Sequence, residues 1–367
     1  MKTWQNEIPF HSDNSITEHF FTESSVFFDI ETTGFSPLHT KVYLIGCAAR
    51  KGNVICTTQF FAENPSEEKL ILNAFASLLT HYNTLITFNG IGFDIPYLQE
   101  RFKYHKLPDP FLGFQYLDIF KLLSKYKHIL KLENMKQKTI EHFLGISRKD
   151  LYSGGELINV YDNYVKEPSE DALTLLRLHN YEDVTGMTDL LPILSYIQLF
   201  EGNFEVTALE KISYTEYEGT HSLELHITLN TAFPLPKRFS FGFGDIYLTG
   251  FLNQAKLKIK IYQGELKYFY SNYKDYYYLP EEDRAIHKSV AFYVDKNYRT
   301  RAKAATCYSK KTGCFLPQYS EIFEPYFKLE YHDKLSYFEM TEDFTDSPEA
   351  QRNYCIHLLH HLLHTKS

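Results

Sequence analysis

Two carboxylates interrupt an otherwise apolar run at residues 26–34, VFFDIETTG, where Asp29 and Glu31 stand among Val26, Phe27, Phe28 and Ile30. Residues of these types form a strand, which Thr33 and Gly34 end. An acid inside a buried strand is costly unless something pairs with it. Alternation along the strand turns Asp29 and Glu31 to one side. A cation between them would satisfy both, and so would a solvated strand edge. A further acid, Asp94, lies in TFNGIGFDIPYL at residues 87–98, after a strand end at Asn89 and two glycines that free the chain to turn. Functional groups of open α/β sheets gather where strands end and helices begin, although Asp94 also reads as an ordinary helix-start acid and Asn89 as a turn residue. In LRLHNYEDVTGM, residues 176–187, His179 and Asp183 are four apart and share one helix face. They could act on a substrate or simply hydrogen-bond each other.

The elements that must carry these residues are legible in outline. Residues 42–49 (VYLIGCAA) and 54–61 (VICTTQFF) read as two strands joined by a turn at Lys51, Gly52 and Asn53, giving a meander with the first strand. A helix follows from Ser66 to about Tyr82, with acids in its first turn where the helix dipole favours them. Then come a short strand at Thr84–Phe88, a helix from about Phe93 to Tyr104, a strand at Gln115–Ile119, and a long helix starting near Ser169. Strands followed by alternating helix and strand predict a mixed α/β sheet covered by helices.

A chain of 367 residues predicts two domains. With 44% hydrophobic and 23% charged residues the composition is that of a globular protein and argues against disorder. The net charge of −8 argues against coating nucleic acid through overall charge, but not against acting on it. Five cysteines without a CxxC pair read as reduced thiols. With no apolar leader at the N-terminus and no apolar run long enough for a membrane span, the expected location is the cytoplasm.

FDIETTG, FNGIGFD and HNYED, in this order and at these separations, resemble the three motifs of the DEDD 3′-5′ exonucleases. The likeness is closest to the YprB-like group of the ribonuclease H fold (DnaQ-like), itself similar to the proofreading domain of family B DNA polymerases. It covers roughly residues 20 to 200, and the segments KLENMKQKTIEHFLGISRKD and GELINVYDNY look like this group too. The resemblance implies a ribonuclease H-like mixed sheet with flanking helices over residues 1–200 and leaves residues 201–367 as a separate domain. It implies that Asp29, Glu31, Asp94 and Asp183 are the metal-binding acids and that His179 is the general base. The familiar patterns have Tyr four residues before the last acid or His five before it, whereas this chain has His four before.

Phosphodiester hydrolysis needs a nucleophile at neutral pH and relief of charge on the phosphate, and two divalent ions provide both. Carboxylate oxygens select two Mg²⁺ or Mn²⁺ rather than zinc. In this reading Asp29 bridges the ions, Glu31 and Asp183 hold the one that activates water, Asp94 supports the other, and His179 takes the water proton. Thr33, Asn89 and Phe93 are contacts to a terminal nucleotide, or else turn and packing residues. The expected activity is metal-dependent 3′-5′ exonucleolysis of nucleic acid, DNA or RNA, single-stranded. The alternative is a weakly active nucleic-acid-binding or scaffold protein of the same fold, which would have no chemical need for four intact acids.

After about Leu199 the pattern turns β-rich. Leu223, Leu225, Ile227 and Leu229 alternate with polar residues, and at 255–262 Leu257, Ile259 and Ile261 alternate with Lys256, Lys258 and Lys260 before a turn expected at Gly264. Ser347 and Pro348 open a final helix with an apolar stripe of Ile356, Leu359 and Leu363; its four histidines lack the Cys or acid neighbours of a metal site. This predicts a C-terminal β-rich α+β domain ending in a helix. Within it, Lys296–Lys311 gathers Lys296, Arg299, Arg301, Lys303, Lys310 and Lys311 with interleaved tyrosines. Such a segment either holds single-stranded nucleic acid or is a solvated basic loop. Arg299, Arg301 and Lys303 are its candidate substrate contacts.

Overall fold

The structure, a computed structural model, describes residues 1–11, 14–147, 149, 152, 154–215, 219 and 221–365. The chain divides into two compact units, Met1–Gln198 with Phe233–Lys237, and Leu199–Ala232 with Arg238–Ser367. Arg148 and Asp150, at the end of the KLENMKQKTIEHFLGISRKD segment, lie outside the described residues.

Among the described residues the first unit is built on a six-stranded mixed sheet of β1 (Lys2–Pro9), β2 (Ser25–Thr32), β3 (Val42–Lys51), β4 (Val54–Phe61), β5 (Thr84–Thr87) and β6 (Gln115–Asp118), in the order β1-β4-β3-β2-β5-β6. Strands β2, β3 and β4 form the expected antiparallel meander, and Gly52 turns between β3 and β4 at φ +58°. Strand β5 runs parallel to β2, and β6 parallel to β5. Because β2 has neighbours on both edges and helices on its faces, nearly all of it is buried, which explains its almost continuous apolar run. The sequence reading missed β1, an edge strand whose residues alternate between half-buried and exposed.

Helices α1 (Ser15–Phe20), α2 (Glu68–Leu79), α3 (Asp94–Tyr104), α4 (Ile119–Leu123), α5 (Gln137–Leu144), α6 (Gly154–Lys166) and α7 (Glu170–Leu190) accompany this sheet. Ser169 caps α7 by accepting from Ala172 N–H at 3.2 Å. The buried stripe of α7 runs through Leu173, Leu176, Asn180, Val184 and Met187, so an amide occupies a position that helical spacing reserves for an apolar side chain. Helix α2 carries a buried carboxylate, Glu68, which accepts from Arg101 Nε at 2.7 Å, Arg101 Nη2 at 2.6 Å and Val42 N–H at 2.9 Å. Burial alone would raise the Glu68 carboxyl. The hydrogen bonds from Arg101, His105 and Val42 outweigh it and hold the group below the usual range. Arg101 also donates to the carbonyl of Pro37 at 2.7 Å, pinning the loop between β2 and β3.

Helix α8 (Leu194–Phe200) leads into the second unit. Its strands are β7 (Phe204–Thr215), β8 (His221–Phe243), β9 (Ile246–Phe269), β10 (Tyr276–Leu279), β11 (Arg284–His287), β12 (Thr300–Arg301), β13 (Tyr308–Gln318), β14 (Tyr326–Phe327) and β15 (Ser336–Glu339). A six-stranded sheet takes the order β14-β15-β13-β9-β8-β7 and a three-stranded one β11-β10-β12, among the described residues. Short helices α9 (Lys288–Ala291) and α10 (Glu342–Thr345) precede the closing α11 (Pro348–His364).

Two expectations are corrected here. The chain does not turn at Gly264: β9 continues to Phe269, with Gly264 opposite Gly313 of β13. The buried face of α11 is Cys355, Leu358, Leu359 and Leu362, one step round from the predicted stripe, so of that stripe Leu359 alone is fully buried.

Candidate active site

Asp29 and Glu31 of β2, Asp94 at the start of α3, and His179 and Asp183 of α7 line one cavity of about 570 Å³. The cavity opens where β2 and β5 end, and Gly154, Gly155 and Ile158 of α6 complete its wall. Glu31, Asp94 and His179 are only 5–6% exposed. His179 Nε2 lies 3.2 Å from Asp183 Oδ2 and 3.6 Å from Glu31 Oε1. That nitrogen thus faces one carboxylate oxygen from the strand and one from its own helix. Asp94 Oδ1 accepts from the backbone N–H of Ile30 at 3.3 Å, which ties the helix start to the strand between the two motif acids.

The electrostatics are those of acids crowded out of water. Burial, and then the charges of Asp183, Asp94 and Glu31, push the Asp29 carboxyl well above the usual range, against a hydrogen bond from Asn180. Asp94 is raised from 3.8 to about 7, chiefly by burial; its own and the Ile30 N–H oppose this, while Asp118 and Asp183 add to it. Ligand atoms of Glu31, His179 and Asp183 all lie within 4.8 Å of one another. The donor set of hard carboxylate oxygens with one imidazole, and the mutual repulsion of its acids, fit divalent cations such as Mg²⁺ or Mn²⁺.

The raised carboxyls fix a sign for stability against pH. A carboxyl raised on folding binds its proton more tightly folded than unfolded, so it favours the folded chain most at low pH and loses that contribution as pH rises from about 4 to about 7. Burial is the largest cause at Asp94, so this carboxyl carries a share of the dependence that a single substitution can remove. In chelator, the urea midpoint should fall between about pH 5 and about pH 8. Asp94→Asn should flatten that fall and added Mg²⁺ should oppose it; an Asn variant that tracks the parent chain would show that Asp94 is not the source.

A row of residues across the sheet supports Asp29. Strand register places Trp4, Gln59, Gly46 and Asp29 side by side on β1, β4, β3 and β2. Asn180 lies across this row, donating from Nδ2 to Asp29 Oδ2 at 3.3 Å and to the Asp29 carbonyl at 3.4 Å. Its Oδ1 accepts from Gln59 Nε2 at 3.0 Å, and Gln59 also donates to the carbonyl of Arg177 at 2.9 Å. The Arg177 guanidinium sits 5.0 Å over the Trp4 ring. A Cβ on residue 46 would meet Asn180 Oδ1 at 2.1 Å, so only glycine admits the amide. Gly46→Ala should therefore cost about 1–3 kcal/mol. In Gly46→Ala/Asn180→Ala the loss should be smaller than the sum of the single losses, a coupling that urea denaturation measures.

The sequence reading did not single out this row, although a glycine inside a strand and an amide on an apolar stripe were both signals. It also missed Asp118, at the end of β6, whose carboxylate accepts from Asn89 N–H at 3.0 Å and Ile91 N–H at 2.9 Å and holds the turn before Asp94. Asn89 takes a left-handed φ of +65° there and lines the cavity. Phe93 lines it too, with its ring 6.2 Å from that of Phe35. Phe35 was not foreseen; it is 82% exposed at the cavity mouth. Thr33 is placed differently from the expectation. Its N–H donates to the Lys41 carbonyl at 2.9 Å and its Oγ1 accepts from Lys41 N–H at 3.0 Å, whereas Thr32 lines the cavity. The register shift between Glu31 and Thr32 breaks the alternation that would have carried Thr33 to the face of Asp29 and Glu31. Arg299, Arg301 and Lys303 belong to the second unit.

A sequence model of the RNase H superfamily matches residues 26–195. Among solved structures, the chain is similar to the family B DNA polymerase from the hyperthermophilic archaeon Pyrobaculum calidifontis, with 19% identity and TM-score 0.39, over 48% of this chain and 25% of that one. It is also similar to an exonuclease I whose structure was related to processivity (13% identity, TM-score 0.32, 57% of this chain and 55% of that one). Escherichia coli exonuclease I in complex with a dT13 oligonucleotide gives 13% identity and TM-score 0.29 over the same shares of both chains. The chain thus spans about a quarter of the polymerase and about half of the exonucleases. No curated protein matches the sequence. Residues 26–195, which carry all five residues of the acid and histidine cluster, have an RNase H-like fold.

Proposed function

We propose that this chain is a divalent-metal-dependent 3′-5′ exonuclease that hydrolyses the phosphodiester bonds of single-stranded nucleic acid, of the YprB-like DEDD kind. The observation that carries the reading is the convergence of four carboxylates and one histidine on a single cavity in an RNase H-like unit. The order and spacing of the three motifs support the polarity. The five free thiols agree with a cytoplasmic setting.

Asp29, Glu31, Asp94 and Asp183 would hold two Mg²⁺ or Mn²⁺ ions. Bound there, such ions lower the pKa of a water and offset charge on the phosphate. The chain's own residues do the rest. His179 receives the proton of the attacking water at Nε2, the nitrogen that faces Glu31 and Asp183. Asn180 holds the Asp29 carboxylate in place from behind. Phe35 and Phe93 offer ring faces to the terminal base, and Asn89 offers its amide. Thr32, in the cavity wall, takes the contact first expected of Thr33, which serves as a support through Lys41.

The test is product analysis with 5′-end-labelled single-stranded DNA and RNA in Mg²⁺ or Mn²⁺. The expected result is a ladder of products shortened from the 3′ end that disappears in chelator. Internal cuts would point to endonucleolysis, and intact substrate with both ions would end the nuclease reading.

A further inference from the structure

The three-stranded sheet of the second unit has two unlike faces. One packs inward: Tyr276 and Tyr278 of β10 and Ala285 of β11 join Ala302 and Cys307 in a small core. By alternation the other face carries Tyr277, with Ile286 opposite it on β11 and Arg301 opposite it on β12. Arg284 and Arg299 stand two residues along from Ile286 and Arg301 and so share this outward face. The guanidinium carbons of Arg299 and Arg301 lie 4.9 and 4.6 Å from the centre of the Tyr277 ring. Arg299 is anchored by donating to the carbonyl of Ala291. The chain leaving α9, a helix packed on β10 and β11, adds Phe292 and Tyr293, 76% and 86% exposed.

The charge here runs against the rest of the chain. Residues 284–303 hold six Lys and Arg (Arg284, Lys288, Lys296, Arg299, Arg301 and Lys303) and one acid, Asp295, a net of +5 in a protein of net −8. Lys288 is paired with Asp275 at 2.7 Å; among the described residues the other five form no salt bridge. The basic residues further on differ. Lys310 is held by Asp283 at 2.5 Å and Glu265 at 3.1 Å, and Lys311 by Glu339 at 2.5 Å. The buried Tyr308 donates to Asp283. Of the basic segment 296–311, then, the later part braces β13 and the earlier part faces solvent beside β10.

We propose that the outward face of β11-β10-β12 is a binding platform for single-stranded nucleic acid, separate from the cavity of the first unit. Guanidinium forks match phosphate oxygens, and exposed aromatic rings are the surfaces on which unpaired bases stack. A face of aromatic rings and guanidinium groups suits an unpaired strand, because a duplex offers no free base faces. The proposal rests on the nuclease reading for the use of the bound strand, and on this face alone for the binding.

The experiment measures binding of fluorescein-labelled oligothymidylate and oligouridylate to the full chain in chelator, where no cleavage occurs. Arg284→Glu/Arg301→Glu reverses two exposed charges and spares the anchored Arg299. It should weaken binding on the order of tenfold or more and lower the salt slope by about 1.4, at about 0.7 per lost phosphate contact. Phe292→Ala/Tyr293→Ala, at the two exposed rings, should weaken binding on the order of tenfold with the slope unchanged. The proposal is overturned if the charge-reversed chain keeps its thermal midpoint and binds as the parent does, if the parent binds neither oligonucleotide, or if it binds phosphatidylserine vesicles instead. Asp29→Asn, assayed in parallel, separates the two readings. Oligonucleotide binding in a parent chain without cleavage leaves the platform standing alone, whereas Asp29-dependent cleavage with affinity indifferent to Arg284 and Arg301 removes the platform alone.

Discussion

Asp29→Asn will abolish phosphodiester cleavage and leave the chain folded. Asp29 faces the charges of Asp183, Asp94 and Glu31, and burial with those charges already raises its carboxyl well above the usual range. Asparagine keeps the shape and still offers Asn180 an oxygen to bond, but it removes the charge that would hold cations against the phosphate. Loss of that electrostatic stabilisation amounts to several kcal/mol, about a thousandfold or more in rate. Removing one of several repelling charges should leave thermal stability in chelator equal or higher. Rates on end-labelled strands and thermal denaturation check the two halves separately. Activity within about tenfold of the parent would remove Asp29 from the centre of the site.

His179→Ala carries the second largest effect, a fall of about 10²–10⁴ in turnover in saturating Mg²⁺. The imidazole lies between Asp183 and Glu31 and is 5% exposed, so it can hand a proton between a water at the site and the cavity without a change of fold. If it acts as a base and not as a ligand, Mn²⁺ affinity measured by calorimetry should change little while kcat falls and KM holds. Loss of Mn²⁺ binding would make His179 a ligand, and an unchanged rate would mean that another group orients the water.

What could be read in the sequence, and what could not, divides along the range of the interactions involved. Asp29 and Glu31 were legible because acids inside an apolar β run conflict with their surroundings. Asp94, His179 and Asp183 each had an ordinary local reading, as a helix-start acid and a helical hydrogen-bonded pair, and the resemblance of the three motifs to an exonuclease family singled them out. The row of Trp4, Gln59, Gly46 and Asp29 was not, since its meaning depends on the register of strands that meet only in the folded sheet. Thr33 had two readings, a nucleotide contact or a turn residue, and its bonds to Lys41 across the β2–β3 loop, which set it as a support, join residues eight apart that only the folded turn brings together. Gly264 looked like a turn because glycine usually marks one. In the sheet it faces Gly313, where two residues without side chains leave β9 and β13 free to continue. Phe35 could not be picked out from thirty phenylalanines, because its exposure, and not its type, distinguishes it.

The bond between Asn180 and Asp29 joins residues 151 apart in sequence. A contact of that span has high contact order, and such contacts form late because the intervening chain must first be ordered. A growing chain emerges with Asp29 and Glu31 long before Asn180 and Asp183 exist to meet them, so the sheet can assemble before the fourth acid joins the other three. The closing event is then the docking of α7, the step that adds Asp183 and His179 to the three acids already held by β2 and α3. Cations would act on folding at that step, as a latch on the last helix and not as a nucleus for the first strands.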